Sequence, residues 1–287
     1  GSFYTGLQKG CGTISPKQRE VFEALLEQWK QAYPASVTPR IVQALVHSAY
    51  GWEARGGGYA NTVTEEGWKV FRKELGIAEN ILLEAEVLNS NDPQFYATMI
   101  DICNGLNYSS QELQAFFDKA IAIDMGYFPV YYSRAWSLSR RWGGGPGDLE
   151  HFAETVVTLT EEHYGTTLYA QIAASMATHL GEDEFAEDHF FDWKRIDDGY
   201  IRLAEEFPES TFYLNQHCLL ACIYHQQEKA QSLFRKIGDT HERWVWRGDS
   251  GFQAWKQWAF DMAPAPHPKA PDSLPKPIPS SALNSLL

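Results

Sequence analysis

The chain has 287 residues and a 44% hydrophobic content, enough for the core of one large or two ordinary domains and too high for a disordered protein. Its 37 acidic against 24 basic residues leave a net charge of −13. Such a field works against nucleic acid and anionic membrane surfaces, and favours a basic partner or simply solubility. No stretch of 18 apolar residues is present, so no membrane-spanning helix is expected.

Helical periodicity dominates, and no segment alternates as a strand does, so the expected fold class is all-α. Pro16 opens a first helix with Val21, Phe22, Leu25, Leu26 and Trp29 on one face; it ends by Pro34. Thr38 is expected to cap a second helix with Pro39 at its first position, running to about Arg55 and stopping at Gly56 to Gly58. Thr62 to Glu65 reads as a capping box, with Glu65 and Glu66 in the first turn of a helix that is expected to break near Gly76 and resume through Leu88. Asn91-Asp92-Pro93 starts the next helix, and Ser109 or Ser110 starts another that ends near Asp124. Pro129 to Arg141 and Pro146 to about Tyr164 are predicted as further helices. Thr166 to Leu180 follows, rich in small residues (Ala170, Ala173, Ala174, Ser175, Ala177) that permit close approach. Helices are expected near 193–207, 211–225, 227–237 and 251–261, and from Ala263 the prolines point to a linker-like tail.

The domain reading is an N-terminal extension over 1–15, a single helical-repeat domain over 16–262 and a proline-rich tail over 263–287. No secretory signal is recognisable, and Gly1-Ser2 reads as a protease scar, so a cytoplasmic location is expected with a trimmed leader left open. Cys11, Cys103, Cys218 and Cys222 fit no zinc spacing. Cys218 and Cys222 stand at i,i+4 among Leu219, Leu220 and Ala221 and read as buried free thiols, with a metal pair as the alternative. The acidic run from Glu182 to Asp192 places Asp188 or His189 one helical turn from Asp192. It contains neither HExxH nor a calcium loop, so a solvated helix start is expected and no metal or cofactor is assigned.

A faint internal repeat supports stacked helical hairpins, a tetratricopeptide-like α-α superhelix. In one copy Phe117 and Ala120 take the aromatic and small sites of a second helix, and Tyr131, Ala135 and Leu138 the large, small and large sites of the following first helix. Met125 and Arg134 depart from the pattern. A second copy from Pro208 places Leu214, Cys218, Ala221, Ala230 and Phe234 in register, with His217 at the site that Arg134 holds in the first.

Two segments carry a more specific likeness: Ala54 to Trp68 (ARGGGYANTVTEEGW) and Arg141 to Leu149 (RWGGGPGDL), followed by Phe152 and Ala153. Together they resemble a bacterial family of unknown function, whose members are tetratricopeptide-like helical proteins with an Arg-Trp-Gly-Gly signature. The resemblance spans about Pro39 to Trp246 and implies that fold; it implies no activity.

Tyr132, Trp136 and Arg140 step at i, i+4 and i+8 along one predicted helix, on the side that the repeat leaves concave. Aromatics with Arg are the residue types enriched at binding hot spots, so these three are candidate partner contacts, against coverage by a neighbouring helix. Arg141, Gly143 and Gly144 are a candidate anion site, because a glycine loop feeding a helix presents amide N–H groups; a plain helix cap is the competing reading, and no Gly-Lys-Ser/Thr follows to make a nucleotide loop. Trp244, Trp246, Trp255 and Trp258 suit either a ligand platform or the closed end of a solenoid. The expected function is a non-enzymatic scaffold holding a protein or peptide in a concave groove. The alternative is an enzyme or small-anion binder in an all-helical cavity, with His151, Glu154, Asp188 and His189 as non-local groups.

Overall fold

The computed structural model describes residues 16–88, 91–145, 147–182, 184–185 and 191–261. Among them are twelve α-helices and two 3₁₀ turns, and no strand, so the fold is all-α. The helices divide into two compact units that meet in sequence at Pro146 and Gly147.

Unit 1 holds α1 (Pro16–Ala32), α2 (Thr38–Arg55), α3 (Glu65–Glu86), α4 (Pro93–Gly105), α5 (Ser110–Ile123) and α6 (Phe128–Ser137), with 3₁₀ turns at Ala60–Thr62 and Arg140–Trp142. Unit 2 holds α7 (Asp148–Thr160), α8 (Thr166–Leu180), α9 (Trp193–Glu206), α10 (Thr211–Ile223), α11 (Gln227–Ile237) and α12 (Asp249–Asp261). Each unit has one contact pattern. In unit 1, α2 touches α4 and α4 touches α6, while α3 bridges α2 to α4 and α5 bridges α4 to α6. In unit 2, α8, α10 and α12 are the inner series, and α9 and α11 bridge its members.

Burial follows this order. Outer α5 buries only Leu113, Phe117 and Ala120, whereas inner α6 buries every residue from Pro129 to Ser137. Outer α9 buries Ile196, Gly199, Tyr200 and Leu203, whereas inner α10 buries everything from Asn215 to Ile223. The repeat positions sit at the helix contacts: Ala120, Ala135, Cys218 and Ala230 are fully buried, and Phe117 meets Tyr131 edge-on at 5.2 Å. Cys103, Cys218 and Cys222 are buried free thiols, and no metal-ligating cluster exists among the described residues.

The helix ends refine the expected boundaries. Asp92 caps α4 by accepting from the Gln94 amide at 3.0 Å, and Ser109 with Glu112 forms a full capping box on α5. Thr64, not Thr62, caps α3 by accepting from the Gly67 amide; Thr62 belongs to the preceding 3₁₀ turn. Thr38 is already helical, with Val37 in the cap position. The break expected near Gly76 does not occur: α3 runs unbroken, because flanking Leu75 and Ala78 are both fully buried in the core.

Gly199 sets the approach of α9 to α8. A Cβ there would lie 2.3 Å from the Thr166 carbonyl oxygen and 2.7 Å from the Ala170 Cβ, and the carbonyl belongs to a backbone that cannot swing aside. In Gly76 a Cβ would meet nothing within 4 Å. Gly→Ala in a helix gains up to about 1 kcal/mol in propensity, while overpacking costs about 1–3 kcal/mol. Urea denaturation is therefore expected to show Gly76→Ala stabilised and Gly199→Ala destabilised, opposite signs from the same substitution in two helices.

Candidate functional site

In unit 2 the cleft between outer helices α9 and α11, floored by α10, forms a groove of about 1050 Å³. Ile201, Phe207 and Leu233 supply apolar wall, and Glu205, Lys229 and Lys236 supply charge. Ile201 and Phe207 are 42% and 44% exposed and lie on the same groove.

The floor is a polar bridge set in aromatics. His217 of α10 stacks on Tyr200 at 5.0 Å between ring centres, with Trp193 tilted nearby at 6.1 Å. His217 Nε2 lies 2.7 Å from Asp197 Oδ1, and Lys229 Nζ lies 2.7 Å from the same oxygen. Tyr200 donates its hydroxyl to Gln216 Oε1 at 3.1 Å. Burial pushes the Asp197 carboxyl up, but hydrogen bonds from His217 and Lys229 outweigh it and leave the carboxyl below its usual range. For His217 burial wins over the Asp197 interaction, and the imidazole titrates below its usual 6.5. The arrangement ties α9, α10 and α11 together and leaves a fixed surface between them.

In unit 1 the two glycine segments, far apart in sequence, come together. Trp52 meets Trp142 at 5.6 Å, and Trp142 meets Trp136 at 6.3 Å, both edge-on. Arg55 donates from Nη1 to the carbonyls of Gly56 at 3.1 Å and Gly58 at 3.0 Å, and its guanidinium lies over Trp52 and Trp68. Arg141 lies 5.0 Å over the Tyr59 ring. Gly143 takes a left-handed conformation (φ 85°, ψ 12°) that closes the 3₁₀ turn. Gly144 has no room for a side chain, since a Cβ would collide with the Leu138 carbonyl.

The stripe of Tyr132, Trp136 and Arg140 does not form as expected. Helix α6 stops at Ser137, where tight bonds from the Leu138 amide to the Ala135 carbonyl and the Ser139 amide to the Trp136 carbonyl replace the α-helical ladder. Arg140 thus starts a separate turn and is exposed, while Tyr132 and Trp136 are buried. Of the tryptophans near the chain end, Trp246, Trp255 and Trp258 are buried, so they close the packing rather than offer a platform; Trp244 stacks on Phe212. Glu154 pairs with Arg195, His151 is exposed, and Asp188 and His189 lie outside the described residues. Asp192 caps α9 by accepting from the Arg195 amide. No protein-family model, curated protein or solved structure matches the chain. No helix among the described residues is long and apolar enough to cross a membrane.

Repeat reasoning singled out His217 only as a departure from an apolar site, and it missed Asp197, Lys229 and Arg55. The signal for the first two was that same departure: a polar residue at an enclosed site requires a partner.

The depressed His217 pKa fixes a pH dependence. An unfolded imidazole takes up its proton near 6.5 while the folded one resists, because burial, aided by Lys229 and Lys236, outweighs the pull of Asp197, so its contribution is complete above pH 6.5 and declines as pH falls below that value. Asp197, held below 3.8, adds a second loss at still lower pH. Urea midpoints of the wild type are expected to fall from pH 7.5 to pH 5, and His217→Gln is expected to flatten part of that slope.

Proposed function

We propose that the chain is a tetratricopeptide-like helical-repeat scaffold that binds an extended segment of a protein partner in the groove between α9 and α11. The observation that carries this reading is the groove itself: about 1050 Å³, with exposed Ile201 and Phe207 over a floor fixed by the His217–Asp197–Lys229 bridge. Ligand pockets for small molecules run to about 300–1,000 Å³, so this one has room for several side chains of a peptide. A floor that needs no reordering keeps the entropic cost of binding low.

The partner presents apolar anchors. The rim carries Glu205 and Glu228 as well as Lys229 and Lys236, so selection comes from buried apolar contact more than from net charge. The alternation of inner and outer helices in both units and the likeness of the two glycine segments to the Arg-Trp-Gly-Gly family belong to the same proposal; they favour a repeat scaffold and leave its ligand to the groove.

Panning a random peptide library on the full chain tests it. Enriched peptides are expected to carry aromatic or aliphatic anchors and to bind an Ile201→Asp, Phe207→Ser variant about tenfold or more weakly. Both residues are solvent-facing, so the variant is expected to keep the wild-type thermal midpoint. Peptides that bind wild type and variant alike would place the binding surface elsewhere.

A further inference from the structure

The last turn of α12 stands at one end of the unit 2 groove. Gln227 of α11, which lines that groove, donates from Nε2 to the carbonyls of Trp258 at 3.3 Å and Ala259 at 3.1 Å. His225, also on the groove, meets the Trp258 ring edge-on at 5.7 Å. Helix α12 ends at Asp261, so the chain leaves it beside the mouth of the groove with residues 262–287 still to follow. Those residues lie outside the described ones. Their sequence places prolines at 264, 266, 268 and 271, with His267 and Lys269 between them and no acid before Asp272. Proline fixes φ and removes the N–H, so such a sequence favours the extended polyproline II form and loses little entropy on being held in it.

The groove offers what such a segment needs. Trp193, Phe207 and Tyr213 present aromatic rings for prolines to pack on. The Trp193 indole N–H and the Tyr213 hydroxyl bond no other described residue and can donate to backbone carbonyls of the segment; burial keeps that hydroxyl protonated, its pKa pushed up to about 12. Glu205 and Glu228 have no ion-pair partner among the described residues. Lys229 is taken up by Asp197, which leaves Lys236 to offset only one of the two carboxylates. The lengths agree as well. Helix α11 has 11 residues, about 16 Å at 1.5 Å per residue. The seven steps from Pro264 to Pro271 span about 22 Å at about 3.1 Å per residue.

We propose that residues 264–271 occupy the groove between α9 and α11 of their own chain, with prolines on the aromatic rings and Lys269 against Glu205 or Glu228, so that a partner binds by displacing them. This occupancy rests on the groove being a peptide site, as proposed above. Tethering makes even a weak contact count. At an effective concentration of about 1 mM, a segment with a Kd of about 0.1 mM fills about nine-tenths of the grooves and weakens a competing peptide about tenfold.

Carbodiimide cross-linking of the dilute full chain tests it, mapped by mass spectrometry on an equal mixture of natural and heavy-isotope protein. A bond from Lys269 to Glu205 or Glu228 is expected within single isotope forms. It is expected to fall about tenfold in an Ile201→Ser, Phe207→Ser variant and in a Pro266→Ser, Pro268→Ser, Pro271→Ser variant, both of which keep Lys269 and the two carboxylates. Peptides enriched by panning are expected to bind the proline variant about tenfold more tightly than the wild type. Lys269 linked only elsewhere, linked equally in all three proteins, or linked between isotope forms would overturn the proposal. The expected cross-links with no peptide bound by either form would support the tail's place and count against partner binding. Peptides that bind wild type and proline variant alike, without the cross-links, would leave partner binding standing and remove the tail from the groove.

Discussion

The inner helices α2, α4, α6, α8 and α10 are enclosed by their neighbours, and a polar side chain on a helix so enclosed needs a partner within the protein. Four residues show how this is met. His47 of α2 reaches Glu74 of α3, which also accepts from Arg19 of α1, each at 2.8 Å. Arg134 of α6 reaches back to Gln114 and Ser110 on α5, with distances of 3.0 and 2.8 Å. His217 of α10 reaches Asp197 on α9. Asn215 accepts from the Trp246 indole at 2.7 Å and donates to the Thr211 carbonyl at 2.8 Å. Breaking one partner of such a buried contact costs more than a surface pair contributes, so these bridges set which helices may be neighbours and in what register.

The outer helices are free of that constraint and carry the surfaces. Helices α9 and α11 each pack on α10 with one apolar stripe and expose the remainder, so their facing sides frame a groove instead of closing on one another. The bridge that fixes the register also borders this groove: His217 lines its floor and Lys229 one wall, and Asp197 of α9 holds both. Stability and a candidate binding surface therefore share the same atoms. In unit 1 the corresponding economy is different, because two loop segments converge on Trp52 and Trp142 and leave donors without acceptors.

Much of the helical architecture was legible in the sequence, since the period of apolar residues, the Asp92 and Ser109 caps and the small residues of α8 each have a local cause. The errors also have local causes. Gly76 reads as a breaker because propensity counts against it, yet tertiary burial of Leu75 and Ala78 outweighs that cost. Helix α6 reads four residues too long because its ending depends on Ser137, whose hydroxyl bonds the Arg134 carbonyl at 2.7 Å and is itself held by Arg134. That early stop separates Arg140 from Tyr132 and Trp136. The candidate sites were barely legible: Asp197 with His217 and Trp52 with Trp142 are pairings across the fold. Only the misfit of Arg134 and His217 with the repeat pattern pointed to where polar bridges would lie.

Thiol labelling under native conditions, mapped by mass spectrometry, tests the enclosure of the inner helices most directly. Cys103 in α4 and Cys218 and Cys222 in α10 are all fully buried, and burial pushes the Cys103 thiol up to about 12 and the Cys222 thiol well above its usual value. All three are expected to resist alkylation in native buffer and to react only at the rate at which the helices unfold. Rapid labelling of Cys218 or Cys103 in the native protein would mean that α10 or α4 lies open to solvent, and the division into enclosed inner and surface-bearing outer helices would be wrong.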